Sequence, residues 1–491
     1  MIHKKTNPGV SRALLIGIAL VLLFGGRLWP TFAGLSSSGM QVLSIFVGIL
    51  LLWLTVAIDW PSVLLLAALA FVPELKFAQI LSGAYGGSTF VFLIYTFVVT
   101  YALSKTSYIK RIAVAFITSK LAAKGPWWFV TLYFASILFI GSFISPTVLF
   151  FVYLPILDEL YALLNLKKGD PFAAMLMMGT VIMCGISSGM TPIAHVFPIL
   201  ALSAYQAMYG AAIGYGAYIA IAVPVGLLTA VLSLLSFRLV LHPDMSAFTH
   251  FEASQMEGVQ GKTERFEKLT MAIFILVIVL WVVPSLAKPL LPKGTVFTVI
   301  STVDALGTAF PPLIGLVLLC ILTVNGKPLL NFSEAMSQGV SWSSVIMCAG
   351  TTALGAAITN SEIGVTAWIS GMLEPVTSAL PVLLMVLVFT LWAAIQTNLS
   401  SNMVTATVVS AAALTVTANA VGINVAALIV NIGMMASYAF ATPPAMPCVA
   451  IAASSGWTNT RQMMVYGFLA MLISVLVATF VGYPLGGIFL A

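Results

Sequence analysis

A cluster of polar but uncharged side chains lies between residues 396 and 406, in the sequence QTNLSSNMVTA. Its hydrogen-bonding members are Thr397, Asn398, Ser400, Ser401, Asn402 and Thr405. Hydroxyl, amide and free carbonyl oxygens of this kind suit a hard monovalent cation, whereas free amides at a helix N-terminus suit a carboxylate. We therefore interpret the cluster as one wall of a site for small ions.

Similar polar interruptions occur earlier in the chain. The segment GSFISPTVLFF covers 141–151, and SSGMTPIAHVFP covers 187–198 and contains His195. After the cluster, SYAFATPPAMPCVAIAAS covers 437–454. Each unpaired backbone group in hydrocarbon costs several kcal/mol, so ions or a polar substrate must compensate where helices are interrupted. The repetition predicts two halves that each supply one side of a central site.

The surrounding sequence is that of a membrane protein. Of its 491 residues 61% are hydrophobic and only 7% are charged, and the mean hydropathy is +1.11. Asp, Glu, Lys and Arg are absent from five long intervals: Phe77 to Ser104, Trp127 to Leu157, Phe172 to Phe237, Leu269 to Ala287 and Pro375 to Thr460. A crossing needs about 20 apolar residues. The continuous apolar runs predict an all-α polytopic membrane protein rather than a barrel.

The polar stretch 243–268 divides the chain into membrane repeats at 1–242 and 269–491. Within the first repeat we predict a re-entrant hairpin at about 79–120 and a broken helix at 141–151. Within the second we predict a hairpin at about 334–378 and a broken helix at 396–406.

Positive residues flank the first apolar run and the polar stretch, which predicts a cytoplasmic N-terminus and a cytoplasmic 243–268 linker in the cell membrane. Asp59 and Glu74 bracket the third apolar run and are interpreted as interfacial charges. The four cysteines lack CxxC spacing, which favours buried thiols.

These segments resemble the divalent anion/sodium symporter (DASS) family of di- and tricarboxylate carriers over nearly the whole chain. The family carries a Ser-Asn-Thr motif at each of two tips, and the matching triplets are Ser145-Pro146-Thr147 and Ser401-Asn402-Met403. MTPIAH at 190–195 and YAFATPPAMPCVAI at 438–451 are similar to the family's two breaks. The resemblance implies inverted repeats, a homodimer, and a transport domain that moves like an elevator against a scaffold. It also implies a dicarboxylate between the tips with two sodium ions.

Two groups of site residues follow from the resemblance. The substrate-binding candidates are Ser145, Pro146, Thr147, His195, Ser401, Asn402, Met403 and Pro447. The candidates for a sodium site are Thr397, Ser400 and Asn402. The family's Thr-Pro-Pro-Asn is aligned on 446–449, Met-Pro-Cys-Val, which loses polar atoms.

The first tip departs from the family in a way that affects the expected mechanism. Pro146 replaces the middle Asn and offers neither an amide nor a backbone N–H. A first cation site is therefore expected to be impaired, with a protonated His195 as one source of positive charge and a structural His195 as the alternative. We expect a C4 or C5 dicarboxylate exchanger, with a sodium- or proton-coupled symporter of dicarboxylate, citrate or sulfate as the alternative and an anion channel as a remote one.

Other functional classes lose support. The sequence has no GxSxG, HExxH or P-loop motif, so neither an enzyme nor an ATP-driven pump is expected. No cofactor is expected apart from sodium as a coupling ion. The 20 basic residues are scattered among the connections, so the expected partners are the lipid bilayer and small anions rather than nucleic acid.

Overall fold

The computed structural model describes residues 8–250, 264–287, 291–377, 380–418 and 420–490. Much of the predicted linker, 251–263, and residue 378 of the second predicted hairpin lie outside this part of the chain.

Eleven α-helices precede the linker. They are α1 (Pro8–Gly25), α2 (Ser37–Thr55), α3 (Trp60–Leu69), α4 (Phe77–Tyr85), α5 (Ser88–Ser104), α6 (Tyr108–Ile117), α7 (Pro126–Gly141), α8 (Pro146–Leu163), α9 (Pro171–Met190), α10 (Val196–Tyr209) and α11 (Tyr215–Ser236), the last continued by a π-helical turn at Phe237–Leu241.

Twelve α-helices and one short β-hairpin follow it. The helices are α12 (Arg265–Ala287), α13 (Thr295–Ala305), α14 (Phe310–Ile321), α15 (Phe332–Glu334), α16 (Trp342–Thr359), α17 (Val365–Thr377), α18 (Val382–Leu399), α19 (Asn402–Thr417), α20 (Val425–Ser437), α21 (Pro447–Ser454), α22 (Thr460–Val477) and α23 (Tyr483–Phe489). The strands β1 (Thr323–Val324) and β2 (Lys327–Pro328) pair antiparallel.

The prediction of a polytopic helical membrane protein is confirmed. Among the described residues, nine helices are long and apolar enough to cross a membrane. A tenth is added if α13 and α14, which meet at an angle of 82°, count as one span.

The central helix of the molecule is α9. Every residue from Phe172 to Met190 is buried, so both faces of this helix contact protein rather than lipid. Around it, buried apolar side chains form two clusters. The larger cluster contains buried residues of α5–α12, α14, α16 and α18–α22. The smaller one joins α1–α4 with α16 and the start of α17, and it includes Val404 of α19.

Proline sets the start of several helices that border the interruptions. Pro126, Pro146, Pro171 and Pro447 occupy the first turn of α7, α8, α9 and α21. Proline suits this position because the first amides of a helix have no intrahelical acceptor. Pro146 therefore has a structural function as the first residue of α8.

Helix ends fall inside both predicted broken helices. In the first, α7 ends at Gly141 and α8 begins at Pro146. The two helices fold back on each other, since the Ser136 hydroxyl and the Tyr153 hydroxyl are 2.6 Å apart. In the second, α18 ends at Leu399 and α19 begins at Asn402.

The two predicted re-entrant hairpins each contain several helices. Residues 79–120 contain most of α4 together with α5 and α6, and 334–378 contain α16 and α17. Helices α4 and α5 together form one apolar segment of 28 residues, which is long enough to cross a membrane. The division into two repeats stays a prediction.

Candidate functional site

Four interruptions of helices are linked in pairs by hydrogen bonds, and the two pairs are joined by a contact between α9 and the end of α20. We call the α7–α8 connection tip 1 (142–145) and the α18–α19 connection tip 2 (400–401). The α9–α10 connection is break 1 (191–195), and the α20–α21 connection is break 2 (438–446).

The same hydrogen bond joins a tip helix to a break in each half of the chain. The Thr191 hydroxyl donates to the carbonyl of Ser142. The Thr442 hydroxyl donates to the carbonyl of Asn398. Both carbonyls lie three residues before the serine that immediately precedes the next helix, at Ser145 and Ser401. The two halves therefore build the site with one repeated contact.

This equivalence corrects one alignment made from the sequence. Thr191 and Thr442 are each followed by proline, so the Thr-Pro-Pro segment of break 2 is 442–444 rather than 446–448. Thr442 keeps its hydroxyl and uses it. Break 2 has therefore lost fewer polar atoms than the sequence alignment indicates.

Asn398 is the most extensively bonded side chain of the site. It is fully buried. Its Nδ2 donates to the carbonyls of Ala394 and Tyr438, both at 2.9 Å. Its Oδ1 accepts from the amides of Phe440 and Ala441 at 2.9 and 2.8 Å. One amide side chain thus satisfies three backbone groups that the interruption of α20 leaves without helical partners.

Asn402 faces a group of oxygen atoms. Its amide lies 3.0 Å from the Thr397 hydroxyl, 3.1 Å from the Thr397 carbonyl and 3.2 Å from the Ala445 carbonyl, and with Nδ2 turned inward it donates to them. With Oδ1 turned inward, four oxygens would face one another, which is the ligand set of a hard cation. The predicted sodium ligands Thr397 and Asn402 are therefore brought together.

Ser400, the third predicted sodium ligand, is placed differently. Its hydroxyl donates to the carbonyl of Gln396 in the preceding turn at 3.0 Å. The described contacts give no reason to place its side chain among the oxygens around Asn402.

Tip 1 lacks the amide of tip 2. Pro146 occupies the position equivalent to Asn402 and is buried. Ser145 and Thr147 are half-buried. The Ser401 hydroxyl accepts from the Val404 amide at 3.4 Å, whereas Ser145 makes no such capping bond. The asymmetry predicted from the sequence is thus present at the level of side chains.

His195 caps α10 in the described geometry. Its Nδ1 accepts from the backbone amide of Val196 at 3.1 Å, and its ring contacts that of Phe197, with centroids 3.8 Å apart. A ring nitrogen that accepts a hydrogen bond carries no proton, so this is the arrangement of a neutral imidazole with its proton on Nε2. The neutral ring offers one N–H donor.

Helix N-termini supply most of the positive potential in this region. The helices α8, α10, α19 and α21 all begin at a tip or a break. Each N-terminus carries the equivalent of about half a positive charge and presents free amides. Met403 lies half-buried in the first turn of α19, and Pro447 begins α21 and is exposed. The arrangement can bind an anion without Arg or Lys.

Close packing of α9 on α20 holds the two breaks together. A Cβ on Gly185 would lie 2.5 Å from Phe440 Cδ1, and one on Gly189 would lie 2.6 Å from Tyr438 Cε1. The Ser188 hydroxyl also contacts the Ser437 carbonyl at 3.3 Å. Both glycines are therefore required for this approach.

The variant Gly189→Val is expected to push α9 away from break 2 and to lower the free energy of unfolding by about 1–3 kcal/mol, the usual cost of overpacking. Thermal unfolding in detergent tests this. Gly83→Val is the matched control, because Gly83 also lies in a helix but has no atom within 4 Å of its Cβ position. Equal losses in both variants would contradict the account.

Apolar spans combined with paired interrupted helices define a class of secondary transporter with internal repeats. A family model described as the sodium:sulfate symporter transmembrane region matches residues 10–489. The chain belongs to this family of divalent anion/sodium symporters, and it is a membrane transporter rather than an enzyme.

Individual relatives agree with the family. The chain is 25% identical over 504 residues to the sodium-dependent dicarboxylate transporter SdcS of Staphylococcus saprophyticus, covering 98% of this chain and 92% of the relative. It is 24% identical over 512 residues to SdcS of Staphylococcus aureus strain MW2, with the same coverage. The YdaH transporter of Alcanivorax borkumensis has a similar fold, with a TM-score of 0.52 and 14% identity over 84% of this chain and 88% of that one.

Three residues of the site were not selected from the sequence. Asn398 belongs to the polar cluster but was not assigned a function, and Thr191 and Thr442 were not singled out. The signal that identifies the two threonines is the Thr-Pro pair that occurs in both breaks.

Proposed function

We propose that this protein is a sodium-coupled symporter of C4 or C5 dicarboxylates. The observation that carries the proposal is the convergence of the Asn402 amide with the Thr397 and Ala445 oxygens at tip 2, at the N-terminus of α19. Relatives that match this chain over 92% of their own length are named sodium-dependent dicarboxylate transporters. These names support both the ion and the substrate class.

The oxygens at tip 2 and the helix N-termini have complementary tasks. A sodium ion at Thr397, Asn402 and Ala445 places positive charge at the start of α19. The free amides of α8 and α19, including those of Thr147 and Met403, then bind the two carboxylates. His195 contributes its Nε2–H, and Ser145, Ser401 and the first turn of α21 at Pro447 complete the wall. Sodium is required because a dianion is costly to bury without compensating charge.

We propose symport in place of the exchange that was expected from Pro146. Exchange was expected because tip 1 lacks an amide, and an empty carrier with an impaired first cation site was expected to be unable to cross the membrane. A protonated His195 was the other expected source of the missing positive charge. The capping geometry of His195 does not provide that charge, and at tip 2 the Asn402 amide lies within 3.2 Å of the Thr397 and Ala445 oxygens. One coupled cation site therefore supports symport better than obligatory exchange.

The remaining predictions concern how the carrier moves and sits in the membrane. We propose a homodimer in which a transport domain with the tips and breaks moves like an elevator against a scaffold. The N-terminus and the 243–268 linker are placed in the cytoplasm. These statements rest on the family resemblance and on the distribution of positive charge.

Efflux from proteoliposomes separates symport from exchange. Vesicles are loaded with labelled succinate and sodium and diluted into buffer without external dicarboxylate. A symporter releases label under these conditions, and unlabelled malate outside is not required. Release of label that occurs only with external dicarboxylate would contradict the proposal. A separate screen with sulfate and citrate outside the vesicles would define the substrate class.

A further inference from the structure

Two buried oxygen atoms, one on α2 and one on the segment 70–76, have no hydrogen-bond donor among the described residues. They are Gln41 Oε1 and Glu74 Oε2, and no residue that the structure describes donates to either. Gln41 is only 3% exposed. A buried acceptor without a partner costs about 1–3 kcal/mol, and more when it is charged. Such a pair requires a physical explanation.

Hydrogen bonds fix both side chains at the same crossing. Ser38 and Gln41 lie three residues apart, on one face of α2. The Ser38 hydroxyl donates to Glu74 Oε1 at 2.7 Å, and Gln41 Nε2 donates to the Phe71 carbonyl at 3.1 Å. Each side chain is thus held to the neighbouring segment through one polar atom, and the atoms left without a donor are Gln41 Oε1 and Glu74 Oε2.

In the described contacts, none of the donors at this crossing is directed at the two oxygens. The Gln41 amide is engaged with Phe71 and the Ser38 hydroxyl with Glu74, while the Gly39 amide donates to the Ser36 hydroxyl at 2.9 Å. What remains is acceptor capacity with a net negative charge, partly offset by the positive end of α2. The complementary ligand carries positive charge and prefers oxygen.

The ligand set favours a monovalent ion. Divalent ions usually bind several carboxylates, whereas Glu74 is the only carboxylate in these contacts. No group of three His, Cys, Asp or Glu side chains suited to a metal ion occurs among the described residues.

We propose that Gln41 and Glu74 bind a sodium ion at the crossing of α2 with segment 70–76. This site is separate from tip 2 and does not depend on the proposed transport function. It lies within the smaller core cluster, on which Val404 of α19 also packs. The Ser36 hydroxyl further ties this end of α2 to the Ile363 carbonyl at 2.9 Å. Sodium here would stabilise the helices that support α19.

Thermal unfolding of the purified full-length protein tests the site, with sodium chloride compared with choline chloride at equal ionic strength. Sodium is expected to raise the unfolding temperature, and Glu74→Gln is expected to remove part of this rise. The new amide can donate to Gln41, so Glu74→Gln should also be more stable than the wild type in choline. Asp59→Asn is the matched control, because asparagine keeps the cap that Asp59 provides to Trp60.

Binding of ²²Na⁺ at saturation gives an independent readout. The number of ions bound per chain is expected to fall by about one in Glu74→Gln and in Gln41→Leu, because each removes a ligand of the same ion. Asn402→Ala should keep this ion and lose the one at tip 2. Unchanged binding in both Glu74→Gln and Gln41→Leu, or loss of all sodium in Asn402→Ala, would overturn the proposal.

Discussion

Asn402→Ala is expected to abolish sodium-dependent uptake of dicarboxylate at moderate sodium concentrations. The substitution removes the only amide among the oxygens of Thr397 and Ala445. A polar contact to a charged group contributes about 1.5–3 kcal/mol. The apparent sodium affinity should therefore fall about 10- to 100-fold, measured as the sodium concentration that gives half-maximal uptake in proteoliposomes.

Two further variants make this result specific. Asn402→Asp keeps an oxygen ligand and adds negative charge, so it should retain sodium binding while lowering the affinity for the dianionic substrate. Asn459→Ala removes an asparagine away from tip 2, at the start of α22, where its Oδ1 accepts from the Gln462 amide. It should leave sodium dependence unchanged. A normal sodium response in Asn402→Ala would exclude tip 2 as the coupling site.

Asn398→Ala is expected to cause the largest loss of stability among single substitutions at the site. Truncation leaves the Tyr438 carbonyl and the Phe440 and Ala441 amides buried without partners. Each such group costs about 1–3 kcal/mol, and the losses are not fully additive, so the expected decrease in the free energy of unfolding is about 3–5 kcal/mol.

The matching contact between tip 1 and break 1 provides the control for this variant. Ser142 holds the equivalent position in the first half, but its hydroxyl donates to the Leu138 carbonyl of the preceding helix at 2.8 Å and has only a weak contact with Met190 Sδ at 4.0 Å. Ser142→Ala should therefore cost less than about 1 kcal/mol. Thermal and denaturant unfolding in detergent compare the two. A similar effect of both substitutions would show that Asn398 does not organise break 2.

The membrane-spanning architecture is predictable from the sequence because it depends on composition over long intervals. For example, the charge-free interval from Phe172 to Phe237 covers α10, α11 and all of α9 except its first residue. Both interruptions at the tips are predictable as well, because local polar residues and proline mark them. Their boundaries are approximate because proline and serine also serve as helix starts and caps.

Contacts between distant segments are not predictable from such patterns. Asn398 looks like one polar residue among several until break 2 is placed against it, 40 to 43 residues later in the chain. The sequence indicates that Glu74 is an interfacial charge, but the fold buries one of its carboxylate oxygens near Gln41. His195 reads equally as a charged or a structural residue, and only its bond to Val196 favours the neutral form.

Sodium-driven accumulation of labelled succinate tests the central claim most directly. Purified protein in proteoliposomes is given an inward sodium gradient, with choline as the matched cation, and internal label is followed over time. We predict accumulation above the external concentration with sodium and none with choline, and loss of the sodium effect in Asn402→Ala. Uptake that is independent of the sodium gradient, or that requires preloaded dicarboxylate, would contradict sodium-coupled symport.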